Sequence, residues 1–464
     1  MEWISNIVND ANNVLWTYIL IILLLAAGLY FSFGTKFVQI RLFPEMFRLI
    51  VEKRDGESGV SPFQAFTISA ASRVGTGNIT GVALAIGVGG PGAVFWMWII
   101  AILGMATAFI ESTLAQVYKV KDGDTFRGGP AYYMEKALGQ RKLGIIFGIL
   151  LTLSFGFIFN AVQSNTIATS VGEAFHIEPY IIGIMLVVLT ALIIFGGVHR
   201  IVKVTQVLVP VMAIFYLAVA LFVVLTNFSE IPAVFKLIFT EAFGLREAAG
   251  GAIGIAIMQG VRRGLFSNEA GMGSVPNAAA TANTSHPAKQ GLVQSLGVFF
   301  DTIMICSATA FIIILAGLYN TGESNGIILT QNSLAVHVGD WAPYFIAISI
   351  IFFAFSSIVG NYYYGESNIE FMNAHKGWMF GYRILVLAMV MFGSLAQVEL
   401  VWNLADLFMG LMAIINITII LLLGKIAFLV LDDFTKQKKA GKNPVFYAKS
   451  IPTLKNTDCW EEDR

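Results

Sequence analysis

Two polar, glycine-containing interruptions lie inside segments that are otherwise apolar enough to cross a membrane. The first reads ASRVGTGNITG at residues 71–81, and the second reads LFSNEAGMGSVP at residues 265–276. Glycine lets the backbone leave helical geometry, and an interrupted helix persists in a bilayer only where its freed peptide groups line a protected cavity. A pair of such interruptions in the two halves of a chain indicates the binding site of a secondary transporter.

The composition predicts an integral membrane protein whose main partner is the lipid bilayer. Of the 464 residues, 56% are hydrophobic and 12% are charged, whereas a soluble domain has about 25% charged residues. The net charge is zero, so nothing attracts nucleic acid electrostatically. The first apolar run, residues 15–33, lacks a basic leader and a small-residue cleavage site, which favours a retained helix over a signal peptide.

Eleven membrane spans are predicted, because a helix needs about 20 apolar residues to cross the hydrocarbon core. They cover residues 14–33, 62–88, 92–118, 143–169, 178–197, 205–227, 249–282, 289–318, 342–370, 379–396 and 400–430. The amphipathic segment 37–51 is expected to lie along the membrane surface. Lysine and arginine cluster after spans one and three and in the tail, and connections 170–179 and 319–341 contain neither. This bias predicts a cell-membrane protein with its N-terminus outside and its C-terminus in the cytoplasm.

The position of the two interruptions predicts an internal repeat in an all-α fold. Without the first span, ten spans divide into five plus five, and each half begins with an interrupted helix. Five spans per half make the second half enter the membrane from the opposite side, as in an inverted repeat. The predicted units are an extra N-terminal helix with an interfacial segment, a first repeat, an extracellular connection, a second repeat and a cytoplasmic tail: 1–61, 62–227, 228–248, 249–430 and 431–464.

The first interruption offers groups for both a cation and a carboxylate. Carbonyls at the C-terminal end of a half-helix favour a cation, and free amides at an N-terminal end favour an anion. We therefore expect the Ala71 and Val74 carbonyls to face a cation, while the amides of Thr76, Gly77 and Asn78 face a carboxylate. The alternative is a glycine-mediated helix crossing.

Spans four and nine carry polar residues that suit the same site. The hydroxyls of Ser356 and Ser357, with the Phe353 carbonyl, would complete an oxygen site for a hard cation such as sodium. The alternative for such a serine pair is a hydrogen bond between helices. In span four, Asn160 and Gln163 share one helical face, which we expect to lie across from the interruptions.

The second interruption places Asn268 and Glu269 at membrane depth. An ionisable group there is costly and is usually functional or paired. For Glu269 we expect a pair with Arg262 or Arg263, or a bond to loosened backbone, with direct substrate contact as the alternative. The other carboxylates at or near membrane depth are either structurally paired or proton relays: Glu111, Asp301, Glu366 and Glu370.

Long motifs around the interruptions resemble one transporter family. They are SRVGTGNITGVA at 72–83, GGPGAVFWMWIIAILG at 89–104 and RRGLFSNEAGMGSVPNAAATA at 262–282. They resemble the alanine/glycine:cation symporter family, also called the sodium:alanine symporter family, and the likeness extends over essentially the whole chain, through DLFMG at 406–410. The chain looks particularly similar to the Gram-positive branch associated with glutamine uptake.

The resemblance implies a leucine-transporter-like fold of five-plus-five inverted repeats with two discontinuous helices and one extra N-terminal helix. It implies sodium-coupled import of a small neutral amino acid by alternating access, with sodium as the co-transported ion and no organic cofactor. The positions that match substrate-facing residues are Thr76, Gly77, Asn78, Gln163, Asn268 and Gly271. The positions that match the sodium site of the wider fold are Ala71, Val74, Phe353, Ser356 and Ser357.

Two departures from the family pattern bear on the substrate. Members restricted to alanine and glycine tend to carry tryptophan where this chain has Asn361 and Gln259. Carboxamides there would enlarge the substrate pocket and supply partners for a buried side-chain amide. The substrate therefore stays open between glutamine and alanine or glycine, and glutamine is favoured.

Other functional classes are less consistent with the sequence. A channel requires a continuous pore with repeated symmetry, and an enzyme would require a catalytic or metal-ligand motif, which the sequence lacks. The remaining alternative is a proton-coupled carrier of the same fold, with coupling at Glu269, Glu111 or Asp301. One chain can build the whole site, so we expect a monomer with no obligatory protein partner.

Overall fold

The computed structural model describes residues 2–56, 58–244, 250–322, 326–373 and 375–461. In these residues the regular secondary structure consists of helices and one two-stranded hairpin, so the predicted all-α membrane class is confirmed. The predicted boundary between the extracellular connection and the second repeat, at residues 248 and 249, lies outside the described residues. The last three residues of the predicted tail also lie outside them.

The N-terminal half contains one long apolar helix before the first interruption and one after it. A hairpin and four more helices follow. Its elements are α1 (Ser5–Gly34), α2 (Val38–Arg41), α3 (Phe43–Ile50), α4 (Pro62–Arg73), α5 (Gly77–Gly89), α6 (Gly92–Val117), β1 (Val120–Asp122), β2 (Thr125–Arg127), α7 (Pro130–Leu138), α8 (Arg141–Phe175), α9 (Pro179–Ile194) and α10 (Gly197–Thr226).

The C-terminal half repeats the order of a short interrupted helix followed by long helices. Its elements are α11 (Ile231–Ala242), α12 (Gly250–Asn268), α13 (Val275–Ala279), α14 (Pro287–Ala316), α15 (Gly326–Val338), α16 (Ala342–Met372), α17 (Lys376–Leu395) and α18 (Val398–Lys439). Single turns of 3₁₀ helix cover Phe228–Glu230, Leu318–Asn320 and Ala448–Ser450.

Eight helices in the described part of the chain are long and apolar enough to cross a membrane: α1, α6, α8, α10, α14, α16, α17 and α18. The three remaining predicted spans form helices that are too short or too polar to count among these eight. Two of them are the interrupted spans, which the breaks divide into α4 with α5 and α12 with α13. The third is α9, which has 16 residues.

Burial separates inner helices from outer ones. In the most apolar window of α6 and of α14, 67% of the residues are buried, and the share is 61% in α8 and α16. In α10 and α17 it is 28%, and α10 exposes large apolar side chains such as Ile214 (68%) and Phe215 (66%). Extended apolar surface of this kind marks contact with a membrane, so α10 and α17 lie at the periphery and α6, α8, α14 and α16 lie inside.

Both predicted helix breaks are confirmed. Helix α4 begins with a capping box between Ser61 and Gln64, which satisfies two free backbone donors, and it ends at Arg73. Val74 then leaves helical geometry with φ −79° and ψ 85°. In the second break Glu269 has φ 58°, a left-handed conformation that is strained for a residue with a side chain.

Several elements were not predicted. Hairpin β1–β2 and helix α7 lie in the connection after α6, α11 lies in the predicted extracellular connection, and α15 lies in segment 319–341. The segment 37–51 forms the two short helices α2 and α3, and α3 packs against α14. Short interfacial helices carry mixed polar and apolar residues, so they leave no long apolar run to detect.

The segment that precedes α4, residues 58–60, pairs with the segment that follows α13, residues 281–283. We call these two segments the tail-side junction. The Val60 amide donates to the Thr281 carbonyl at 3.1 Å, and the Asn283 amide donates to the Val60 carbonyl at 2.9 Å. The described tail covers this region: the Trp460 indole donates to the Gln116 carbonyl at 2.8 Å. The two interrupted helices are therefore joined at one end by backbone hydrogen bonds.

Candidate functional site

The Asn78 side chain holds the first break in shape. Its Oδ1 accepts from the Gly75 amide at 2.9 Å. Its Nδ2 donates to Asp301 Oδ1 at 2.6 Å and to Ser267 Oγ at 3.0 Å. Asn78 is fully buried, so this carboxamide links the first break to α14 and to the end of α12. Its predicted contact with substrate remains a prediction.

Helices α8 and α16 pack directly on the first break. The Thr76 amide donates to Gln163 Oε1 at 3.1 Å, so the expectation that the polar face of span four lies across from the break is confirmed. A methyl group on Gly75 would lie 2.2 Å from Ser357 Oγ and 2.9 Å from Gln163 Oε1. Only glycine fits there, because any side chain would overlap both neighbours.

Hydrogen bonds link four of the five predicted cation ligands between α4 and α16: Ala71, Phe353, Ser356 and Ser357. Ser357 Oγ donates to the Ala71 carbonyl at 2.9 Å, and it also lies 3.1 Å from the Phe353 carbonyl. Ser356 Oγ donates to the Phe353 carbonyl at 2.8 Å. These are neutral oxygens from two helices, and Val74 stands where α4 ends. Hydroxyl and carbonyl oxygens are ligands that suit a hard cation.

Glu269 joins the two breaks. Its Oε1 accepts from Ser72 Oγ on α4 at 2.6 Å, and its Oε2 accepts from Ser274 Oγ at 2.6 Å. The predicted pairing of Glu269 with Arg262 or Arg263 is wrong. Both arginines lie about two helical turns before Glu269 on α12, and a turn rises 5.4 Å, so their side chains reach a different level of the bundle.

Arg262 and Arg263 instead meet Asp406 on α18. Arg263 binds the Asp406 carboxylate with two nitrogens, at 3.0 and 2.7 Å, and Arg262 approaches it at 3.3 Å. Asp406 is fully buried, and a buried carboxylate requires such partners. The Arg263 guanidinium also lies 4.9 Å from the centre of the Trp402 ring. Arg262, Arg263 and Trp402 line a cavity of about 480 Å³, which Gln259 and Thr80 of the first interruption also line.

Three predicted substrate residues carry buried polar atoms that have no hydrogen-bond partner among the described residues. They are Thr76 Oγ1, Asn268 Nδ2 and Asn361 Nδ2. Asn268 Oδ1 accepts from the Ala270 amide at 3.0 Å. Asn361 Oδ1 lies 2.6 Å from Ser72 Oγ, and it shares that hydroxyl with Glu269. An unsatisfied buried polar group costs about 1–3 kcal/mol. A bound ligand with polar groups would remove this cost.

The two predicted glycines have different surroundings. The Gly271 amide donates to Glu111 Oε1 at 3.0 Å, and its carbonyl accepts from Asn416 Nδ2 at 3.0 Å. A methyl group on Gly77 would lie 3.0 Å from the Ser267 Cα. Gly77 therefore permits close approach of the two interrupted helices, whereas the backbone groups of Gly271 are held by the protein. Their contact with substrate stays a prediction.

The structure also adds residues that sequence reasoning missed or did not resolve. Ser72 and Ser267 stand next to the breaks, and each bonds a buried carboxylate. Their position beside the glycine motifs was the available signal. Among the carboxylates with open roles, Glu370 forms an ion pair with Arg127, which confirms structural pairing for that residue.

A sequence model of the sodium:alanine symporter family matches residues 1–448 of the chain. The chain is 57% identical to the amino-acid carrier protein AlsT of Bacillus subtilis (strain 168), covering 100% of this chain and 99% of that protein. It is 56% identical to the probable sodium/glutamine symporter GlnT of the same organism, with 98% and 96% covered. It is 39% identical to the sodium/alanine symporter AgcS of Methanococcus maripaludis, with 95% and 99% covered.

Proposed function

Because the chain belongs to the sodium:alanine symporter family and is a sodium-coupled amino-acid symporter, we propose that it imports glutamine into the cell by alternating access. Alanine and glycine are the other candidate substrates. Proton coupling is not favoured, since relatives are named as sodium symporters. In this proposal the protein is a transporter without enzymatic activity or an organic cofactor, and sodium is cargo.

The substrate site lies between the two breaks. Its proposed residues are Thr76, Gly77, Asn78, Gln163, Asn268, Gly271 and Asn361, with Gln259 on the access route. The observation that carries this assignment is the set of three buried polar atoms, on Thr76, Asn268 and Asn361, that no described residue of the chain bonds. Two of them are N–H donors and one is a hydroxyl, which suits the carboxylate and amide oxygens of an amino acid.

Asn361 is the main reason to favour glutamine. It lies on α16 against Ser72 of α4, fully buried, with its Nδ2 free to donate. An amide carbonyl on the substrate side chain would accept that hydrogen bond, and the methyl group of alanine cannot. Gln259 lines the cavity of about 480 Å³ described above, so it would contact glutamine during entry. The similarity to the probable sodium/glutamine symporter supports the same choice.

Sodium is proposed to bind between α4 and α16. The proposed ligands are the carbonyl oxygens of Ala71, Val74 and Phe353 and the hydroxyl oxygens of Ser356 and Ser357. The hydrogen bond from Ser357 to Ala71 spans 286 positions of sequence, so a cation there would draw the two helices together. Removing sodium would then loosen the contact between the first break and α16.

The fold is proposed to be leucine-transporter-like, with eleven spans. The eight long helices plus the two interrupted spans and α9 make up that number. The equal burial of α6 with α14 and of α8 with α16 supports inverted repeats at 62–227 and 249–430. A short helix, α7 or α15, also precedes the third span of each repeat. The N-terminus is proposed to be outside the cell membrane and the C-terminus inside, in a monomer.

The function is tested with purified protein in liposomes. We expect labelled glutamine to accumulate with an inward sodium gradient and not when choline replaces sodium. Accumulation in choline that follows a pH gradient would contradict sodium coupling. Labelled alanine, measured in parallel, decides the substrate.

The cation site is tested by Ser357→Ala. Loss of one ligand oxygen should raise the sodium concentration for half-maximal uptake at least about tenfold, because even outer-shell changes cost 10–100-fold in metal affinity. Ser349→Ala is the matched control, a buried serine on the same helix outside the proposed site. Equal sodium dependence in both variants would refute the assignment.

A further inference from the structure

Glu111 is a fully buried carboxylate on α6 that faces the second break. Its Oε1 accepts from the Gly271 amide at 3.0 Å. Its Oε2 accepts from the Gly273 amide at 3.2 Å and from Asn416 Nδ2 at 2.9 Å. One side chain of the first half therefore binds two backbone amides in the interrupted segment of the second half.

All three partners of Glu111 are obligatory donors. Backbone N–H groups and the carboxamide NH₂ cannot accept a hydrogen bond. The Asn416 carboxamide cannot turn around without losses, because its Nδ2 also donates to the Gly271 carbonyl and its Oδ1 accepts from the Tyr133 hydroxyl. A protonated carboxyl group or a carboxamide at position 111 would itself carry a hydrogen-bond donor. On one side, that donor would face one of the N–H donors that now bind Glu111. An ionised carboxylate accepts from all three donors at once.

The other two carboxylates near the breaks differ in this respect. Glu269 is bonded by the hydroxyls of Ser72 and Ser274, and Asp301 accepts on one oxygen from hydroxyls only. A hydroxyl can donate or accept, because its proton rotates. The hydroxyl partners of Glu269 and Asp301 can therefore adapt to a protonated or an ionised carboxyl group, whereas the N–H partners of Glu111 match the ionised form.

The bonds from Glu111 fall where the backbone needs support. Gly271 and Gly273 have φ values of 91° and 80°, so this segment cannot continue the helix of α12. Its free amides would otherwise be unsatisfied at membrane depth. The charged and titratable side chains that act on Glu111 are Arg73 on α4, Tyr133 on α7 and Tyr364 on α16.

We infer that Glu111 is a positioning residue for substrate binding: an ionised acceptor that holds the interrupted segment of the second half in place and takes no part in proton transfer. By fixing the amides of Gly271 and Gly273, it fixes the backbone that follows Asn268, and so orients the Asn268 carboxamide. This inference rests on the proposed function only where it is tested by glutamine uptake.

The first test is hydrogen exchange of the Gly271 and Gly273 amides in purified Glu111→Gln. We expect at least about tenfold faster exchange there, because a hydrogen bond to a charged group contributes about 1.5–3 kcal/mol and 1.4 kcal/mol is a factor of ten. Glu366→Gln is the control, a buried carboxylate on α16 whose described ion pair, with Arg383 at 3.9 Å, lies away from the break. Unchanged exchange in Glu111→Gln would overturn the inference.

Transport and spectroscopy separate positioning from general stability. In liposomes, Glu111→Gln should raise the glutamine KM at least about tenfold with a smaller change in maximal rate, and Glu111→Asp should recover part of the loss. The infrared difference between wild type and Glu111→Gln should show loss of an ionised carboxylate band. Loss of a protonated carboxylic acid band would overturn the inference.

The exchange and infrared measurements do not depend on the identity of the substrate. If wild type fails to transport glutamine but both measurements agree with expectation, the proposed function fails and the role of Glu111 stands. If Glu111→Gln does not fold, Glu111→Asp and Asn416→Ala are measured instead. Slow exchange at Gly271 and Gly273 in both would refute the inference.

Discussion

Single side chains determine how the two breaks communicate. Ser72, at the end of α4, donates to Glu269 of the second break and lies equally close to Asn361 of α16, 2.6 Å from each acceptor. One hydroxyl has one proton, so it serves these two acceptors alternately. The sequence marked Glu269 and Asn361 as candidates but did not indicate Ser72, because a serine in an apolar helix is common at ordinary helix contacts.

A single side chain, Asn361, is expected to set the preference for glutamine over alanine. Asn361→Trp should lower the kcat/KM for glutamine relative to alanine by at least about tenfold, because it removes the donor for the side-chain amide and fills the space beside Ser72. Gln259→Trp should change the ratio of the two kcat/KM values less, since Gln259 lines the cavity of about 480 Å³, whereas Asn361 contacts Ser72. Competitive uptake of the two labelled amino acids measures the ratio. Equal losses for glutamine and alanine in Asn361→Trp would contradict this role.

At the scale of helices and breaks, close packing sets the identity of residues that form no hydrogen bond through a side chain. Gly75 lies where α8 and α16 both approach the first break, and its absent side chain leaves room for Ser357 and Gln163. The sequence predicted this glycine as a point of backbone freedom. The structure shows a second cause, the close approach of two helices, which no local pattern reveals.

Gly75→Ala should therefore abolish sodium-dependent uptake. The new methyl group would stand 2.2 Å from Ser357 Oγ, so the serine must leave the proposed cation site. Gly254→Ala on α12 is the control, since no described atom lies within 4 Å of an added methyl group there, and alanine is about 1 kcal/mol more favourable than glycine inside a helix. Uptake at several sodium concentrations compares the two. Full activity in Gly75→Ala would show that this contact is not required.

At the scale of the whole molecule, one end of the bundle is closed by chain segments far apart in sequence. The tail-side junction joins the two interrupted helices, and the described tail lies over it. The Phe446 amide donates to the Ser285 carbonyl at 2.9 Å, and Lys289 binds both Glu52 and Asn443. The other side has the cavity lined by Gln259. At the tail end, these contacts surround a second cavity of about 710 Å³, which Ser58, Asn283 and Trp460 line.

Trp460→Ala should weaken this closure. The indole donates to the Gln116 carbonyl and packs 5.4 Å from the Phe446 ring, so its loss should make opening of the tail-side junction easier. Hydrogen exchange at Val60 and Asn283 should become several-fold faster, because local opening depends on such contacts. Trp378→Ala, on the exposed face of α17, is the control. Equal exchange in both variants would show that the tail does not stabilise the junction.

The sequence by itself determined the membrane class, the two breaks and most of the residues placed around them. The reason is local: polar residues and glycines inside apolar runs have few permitted environments in a bilayer. Ser356 and Ser357 were chosen as candidate cation ligands in the same way, by residue type and neighbouring sequence. Long-range partners were beyond this kind of reasoning.

Only the tertiary structure decided which charged groups meet. Glu111 bonds Asn416 across 305 positions, and Arg263 bonds Asp406 across 143 positions, whereas the sequence suggested Glu269 as the partner of the arginines. Many helix pairings are compatible with one hydropathy pattern, so the partner of a buried charge is set by packing geometry and not by proximity along the chain.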